Sequence, residues 1–244
     1  MQSFVPGGCA VVIGASGGLG NALVEALLAV PAFATVVALS RDAAVDDTAT
    51  GRLRHGSIDI VDEASIARAA AGLPVPLRLV IVATGLLHDA TLQPEKTFRA
   101  LDAESLVRSY RVNAVGPALV AKHMLPLLGP SGRSVFAALS ARVGSIGDNR
   151  SGGWHGYRAS KAALNMILRN LAIETQRRTP DTLCVGLHPG TVDTALSRPF
   201  QRGMAEGRLF TPALAANRLL AVIDGLSATD SGCVLDWDGR IVPP

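Results

Sequence analysis

The sequence predicts a doubly wound α/β domain with a mainly parallel sheet of about seven strands. Two observations predict it. Continuous apolar runs of strand length alternate with helical runs along the whole chain, the pattern of a sheet covered by helices on both faces. A glycine-rich turn, GASGGLG from Gly14 to Gly20, joins the first apolar run to the first helical one.

In order, Ala10 to Ile13 is strand-like and Leu19 to Val30 helical, with Leu23, Leu27 and Leu28 on one face. Thr35 to Ser40 and Ile58 to Ile60 read as the next strands, followed by a helix from Glu63 to Ala71. Leu77 to Thr84 is a strand and Ser105 to Leu127 one long helix. Ser134 to Leu139 precedes a glycine-rich loop and a helix from about Tyr157 to Arg178. Thr182 to His188, a helix near Pro212 to Leu226, and Cys233 to Trp237 complete the alternation. No repeat, linker or low-complexity tract divides the 244 residues, so a single domain over 1–244 is expected.

Composition removes several classes. Apolar residues are 48% and charged residues 18%, which opposes disorder. A net charge of +3, with Arg scattered and no interleaved aromatics, excludes a nucleic-acid partner. The longest apolar runs fall short of the ~20 residues of a membrane span, and the N-terminus lacks a basic region before its apolar stretch. A cytoplasmic protein without membrane contact follows. Cys9, Cys184 and Cys233 are odd in number and lie in separate strand-like runs, which predicts buried free thiols and no metal site.

In a doubly wound sheet, ligands bind beyond the carboxyl ends of the strands, and the chemical motifs lie there. Gly14, Gly18 and Gly20 let a pyrophosphate approach a helix N-terminus, whose free N–H groups and dipole favour an anion. The second strand ends at Ser40-Arg41. An acid here would hold a ribose 2′-OH, whereas Arg meets a 2′-phosphate or simply faces solvent, so the reading favours NADP (NADPH) with NAD as second choice. GYRASKAAL, Gly156 to Leu164, sets Tyr157 and Lys161 four residues apart on one helix face. The chain has two tyrosines and three lysines, so the pairing is not a matter of abundance. A nearby ammonium is expected to lower the phenol pKa from about 10 and make Tyr157 a proton donor or acceptor.

These motifs together resemble the short-chain dehydrogenase/reductase family. GxxxGxG (Gly14, Gly18, Gly20), YxxxK (Tyr157, Lys161) and PGxVxT (Pro189, Gly190, Val192, Thr194) occur in the family's order over essentially the whole chain. Ala141 to Asn165 is similar to the carbonyl-reductase branch that includes sniffer and the C-factor-like proteins. The resemblance implies a Rossmann-type fold, an NADP-dependent reduction of an aldehyde or ketone (or oxidation of the alcohol), and a homodimer or homotetramer. It implies Tyr157 as proton donor, Lys161 as ribose ligand, Ser140 as substrate contact and Asn113 as holder of a relay water. It also implies cofactor contacts at Gly14, Ser16, Gly18, Leu19, Gly20, Arg41, Asp59, Ile60, Thr84, Gly85, Tyr157, Lys161, Pro189, Gly190, Val192 and Thr194.

The pattern departs at one point. The family's serine falls on Ala141 when the chain is aligned without gaps on Gly144, which leaves Ser140, one residue earlier, as the candidate and Ser145 as a poorer one. His88, His155 and His188 read as packing or rim polarity, and Trp154 and His155 as the substrate entrance. Residues 195–211 form the expected substrate loop. A dinucleotide-binding signalling protein with little turnover is the alternative function. A sugar-nucleotide epimerase or dehydratase ranks lower, since only about 50 residues follow Thr194.

Overall fold

The computed structural model describes residues 1–42, 51–203, 205 and 207–244. Seven strands form one sheet: β1 (Cys9–Ile13), β2 (Thr35–Ser40), β3 (Leu53–Ser57), β4 (Leu77–Val82), β5 (Ser134–Leu139), β6 (Thr182–His188) and, at the far edge, β9 (Val234–Asp236). Their order is β3-β2-β1-β4-β5-β6-β9 and every pair is parallel. Two further short strands, β7 (Thr191–Val192) and β8 (Leu209–Phe210), pair apart from this sheet and were not foreseen.

Alternate side chains leave the pleat on opposite faces, and both faces are buried. Ala10 and Val12 of β1 join a core with α1 (Gly18–Leu28) and α6 (Pro212–Gly225). Cys9, Val11 and Ile13 point the other way, into a core with α2 (Glu63–Ala71), α4 (Gly116–Met124) and α5 (His155–Gln176). The helix ends follow local chemistry. Asp62 caps α2 through Ala64 N, Asp102 caps α3 (Ala103–Tyr110) through Ser105 N, and Thr211 caps α6 through Leu214 N ahead of Pro212.

Three expectations are corrected. The third strand is Leu53–Ser57, an edge strand with exposed Arg54 and His55, while Ile58 and Ile60 lie just past it in the core beneath α2. The helix expected over Ser105 to Leu127 is interrupted at Arg111–Val115 by a π turn, in which Gly116 N bonds Arg111 O five residues back. Cys9 and Cys184 are buried free thiols, but Cys233 is partly exposed. Among the described residues no helix is long and apolar enough to cross a membrane, and no group of three His, Cys, Asp or Glu could hold a metal ion.

Candidate active site

The strand order reverses between β1 and β4, and a cavity of about 470 Å³ opens there and runs along the carboxyl ends of β4, β5 and β6. One end is built by the β1–α1 turn. Gly14 has φ +89, a left-handed backbone, and its N–H and that of Ala15 both bond Leu39 O on β2. A Cβ at Gly20 would overlap the Gly14 carbonyl oxygen, so the turn closes this tightly only with glycine at that position. The N-cap, Gly17, supplies no side-chain cap to α1, and its first turn lines the cavity. Thr84, after β4, also lines the cavity, and its Oγ1 is buried without a partner among the described residues. An uncapped helix start, a glycine cradle and an unmatched buried hydroxyl fit a dinucleotide with its pyrophosphate at the helix.

At the other end stand Tyr157 and Lys161 of α5, one turn apart. Lys161 Nζ lies 5.7 Å from the Tyr157 ring centre and donates to Leu139 O at 2.7 Å. Lys161 is 2% exposed, and burial lowers its pKa to about 8. Burial also pushes Tyr157 up to about 12. The expectation that the ammonium lowers the phenol is therefore corrected for the ligand-free cavity: burial disfavours the phenolate and raises the pKa.

The start of α5 is held from outside the helix. Its N-cap, Trp154, has φ 51 and no side-chain cap, and Glu95 serves instead: its carboxylate accepts from Gly156 N at 3.1 Å and its carbonyl from Trp154 N at 2.5 Å. Trp154 packs on Phe200 with centroids 4.9 Å apart and meets the Tyr157 ring edge-on at 6.4 Å. His88 reaches Leu196 O at 3.1 Å and also meets the Phe200 ring, with centroids 5.5 Å apart.

Asn113 sits in the π turn, fully buried. Its Oδ1 accepts from Leu86 N at 2.8 Å, and its Nδ2 donates to Leu86 O at 2.8 Å and to Ser160 Oγ at 3.0 Å. It thus clamps the segment after β4 to α5, one residue before Lys161.

Of the expected site residues, Gly18, Leu19, Gly20, Thr84, Gly85, Ser140, Tyr157, Lys161, Pro189, Gly190, Val192 and Thr194 line this cavity. Gly14 lies beneath it, while Ser16 and Arg41 are exposed beyond it. Asp59 accepts from Val61 N at 3.0 Å and lies outside the cavity wall, and the Ile60 side chain enters the core. Ser140 is 4% exposed and gives its hydroxyl hydrogen to Asn165 Oδ1 at 2.6 Å. Ala141 beside it presents a methyl group to the cavity, and Ser145 is outside the cavity wall. Ala195, Leu196, Ser197 and Phe200 of the expected substrate loop line the cavity, whereas Met204 and Glu206 lie outside the described residues. Sequence reasoning missed two contributors: Glu95, whose role rests on a contact 61 residues away, and His188, which lines the cavity rather than its rim.

A family model described as short chain dehydrogenase matches residues 8–205. The chain is 30% identical to 1-hydroxy-2-glutathionyl-2-methyl-3-butene dehydrogenase of Rhodococcus sp. (strain AD45) over 81% of its own length and 83% of that protein's. It is 36% identical to C-signal of Myxococcus xanthus over 59% of its own length and 81% of that protein's. The NADPH-bound carbonyl reductase from chicken fatty liver shares its fold, with a TM-score of 0.82 at 24% identity over 99% of this chain and 96% of that one.

Proposed function

The chain belongs to the short-chain dehydrogenase family, and from that premise we propose that it is an NADP-dependent reductase acting on the carbonyl group of an aldehyde or ketone. The observation that carries this reading is that Tyr157 and Lys161 face the same cavity as the uncapped start of α1 and the unmatched Thr84 hydroxyl. Held there by the α1 start and Lys161, a nicotinamide dinucleotide would supply the hydride.

The residues of the chain do the rest. The high Tyr157 pKa keeps the phenol protonated at neutral pH, the state a proton donor to a carbonyl oxygen needs. Lys161 spends one of its donors on Leu139 O and has others for ribose hydroxyls. Asn113 holds the wall between them, and Pro117, four residues on, has no N–H for the Asn113 carbonyl, which suits a carbonyl that keeps a relay water. Arg41, exposed at the end of β2, is the candidate contact for a 2′-phosphate, as the NADPH in the chicken reductase suggests. Gly14, Ser16, Asp59, Ile60 and the Pro189–Thr194 segment are assigned to the remaining cofactor contacts. The cavity wall is largely apolar on the side of Leu87, Val143, Leu196 and Phe200, which favours a small or moderately apolar carbonyl compound or the corresponding alcohol.

A second reading, a dinucleotide-binding signalling protein with little turnover, is favoured by the likeness to C-signal and by Ala141. The deciding experiment is NADPH and NADH oxidation over a panel of aldehydes and ketones, with Tyr157→Phe alongside. Turnover that prefers NADPH and falls at least ~100-fold in the variant supports the reductase. Tight cofactor binding with no turnover of any carbonyl compound transfers the assignment to the signalling reading. We further assign the chain to the cytoplasm as a homodimer or homotetramer, with Met166 and Ile173 on α5 exposed where a second copy would pack. A monomer mass in sedimentation equilibrium overturns that assembly.

A further inference from the structure

Among the described residues only two buried side-chain polar atoms have no hydrogen-bond partner, Thr84 Oγ1 and His188 Nδ1. Both residues line the same cavity. An unmatched buried polar group costs about 1–3 kcal/mol and is rare in native proteins, so both residues stand out in the cavity wall; on the His188 ring Nδ1 is closed off and Nε2 is the nitrogen left open. Thr84 lies at the dinucleotide end, against Gly14. His188 stands at the end of β6 beside Ser140, whose N–H bonds Leu187 O.

His188 closes β6. Leu187 before it enters the core under α1 and α6, so strand alternation turns His188 to the opposite face, the one that carries α5 and Tyr157. The donors available to a substrate oxygen on that side are few. Ser140 spends its hydrogen on Asn165 Oδ1, Ala141 offers a methyl group, and Lys161 donates to Leu139 O. Nδ1 is enclosed without a partner and Nε2 has none among the described residues, so Nε2 is the nitrogen that can carry an N–H toward the cavity. Burial, helped by Arg142 and opposed by Asp236, lowers its pKa to about 4, so the ring is neutral and keeps one N–H and one lone pair.

We propose that His188 is a catalytic residue, a second hydrogen-bond donor to the substrate carbonyl oxygen beside Tyr157. The proposal rests on the carbonyl-reductase reading. The imidazole stays neutral throughout: its N–H stabilises the negative charge that develops on the oxygen, and the proton the oxygen finally receives comes from Tyr157. A donor fixed in a low-dielectric wall stabilises the transition state more than the ground state, which is where a hydrogen bond accelerates a reaction.

The test measures NADPH oxidation with 4-nitrobenzaldehyde, and NADPH binding by fluorescence, for wild type, His188→Gln, His188→Leu and His188→Leu/Ala141→Ser. His188→Leu is expected to lose about 10- to 100-fold in kcat/KM, mostly in kcat, with the NADPH Kd within about twofold of wild type. His188→Gln, which keeps an N–H donor, retains most of the activity, and a hydroxyl at position 141 restores about tenfold to the leucine variant. Unchanged kcat in His188→Leu overturns the proposal, as does a loss matched by the NADPH Kd. If the leucine variants do not fold, the unmutated protein decides: the His188 ring 15N resonances in the NADP⁺ complex move when the unreactive carbonyl compound isobutyramide is added, and their standing still overturns the proposal. A wild type that turns over while the variants match it defeats His188 alone, whereas a wild type inactive on every carbonyl compound defeats the reductase reading and this proposal with it.

Discussion

Lys161 Nζ is tied to the carbonyl of Leu139 by a 2.7 Å hydrogen bond, which joins the first turns of α5 to the end of β5 across the floor of the cavity. The same ammonium is almost fully enclosed, and its pKa falls from 10.5 to about 8. That change corresponds to about 3 kcal/mol against the charged folded state without ligand. Below pH 8 both states hold the proton and the penalty is full. As the pH rises from about 8 towards 10.5 the unfolded state binds more protons, so stability rises. Above pH 10, Tyr157 reverses the trend, since the unfolded phenol ionises near 10 and the folded one near 12. Denaturant titrations of the ligand-free protein should show Lys161→Met more stable than wild type at pH 7, by less than the full penalty because the Leu139 bond is lost. The gap should narrow by pH 9.5.

Asn113 makes three buried hydrogen bonds between the segment after β4 and α5. Asn113→Ala leaves the Leu86 amide and carbonyl unmatched, at a cost of about 2–4 kcal/mol. Thermal unfolding should report the loss, and activity should fall at temperatures where the variant is still folded, because Lys161 loses its wall.

Glu95 caps α5 from 60 residues upstream of His155. Glu95→Ala should lower stability by about 1–2 kcal/mol and Glu95→Gln by less, since the amide oxygen still accepts from Gly156 N. Because Tyr157 lies one residue beyond that contact, kcat should fall more than the NADPH affinity. Equal stability in all three proteins would rule out the cap.

Arg41 is exposed at the end of β2, its carbonyl accepting from Ser57 Oγ at 3.1 Å. Arg41→Glu removes the cation a 2′-phosphate meets and offers a ribose hydroxyl an acceptor. The ratio of kcat/KM for NADPH over NADH should drop by about 10- to 100-fold, as expected for one charge-assisted contact. An unchanged ratio would reassign Arg41 to the solvated surface.

Most of the architecture is written locally. β2, α2, β5 and β6 fall where the apolar periodicity puts them because both faces of this sheet are buried and each strand must read as a continuous apolar run. β3 escapes because it is an edge strand, LRHGS, with polar side chains in solvent, while the apolar Ile58 and Ile60 that follow it are buried under α2 without pairing. The glycine turn, Tyr157 and Lys161 were legible as a site because motif spacing encodes them. The enclosure that drives Tyr157 up, the Ser140–Asn165 bond and the unmatched His188 ring were not, since each depends on what surrounds a side chain in three dimensions.

The strand order carries a consequence for how the chain is made. β4 is laid beside β1, and β5, β6 and β9 are then each added to the edge left by the strand before. The sheet can therefore grow in one direction as the polypeptide leaves the ribosome, with no later strand inserted between two earlier ones once β4 is in place. A chain released early, after β5, would end on a bare apolar edge where β6 belongs, and such an edge recruits other chains. Premature termination in the last third of this protein is thus a route to aggregation rather than to a smaller working enzyme.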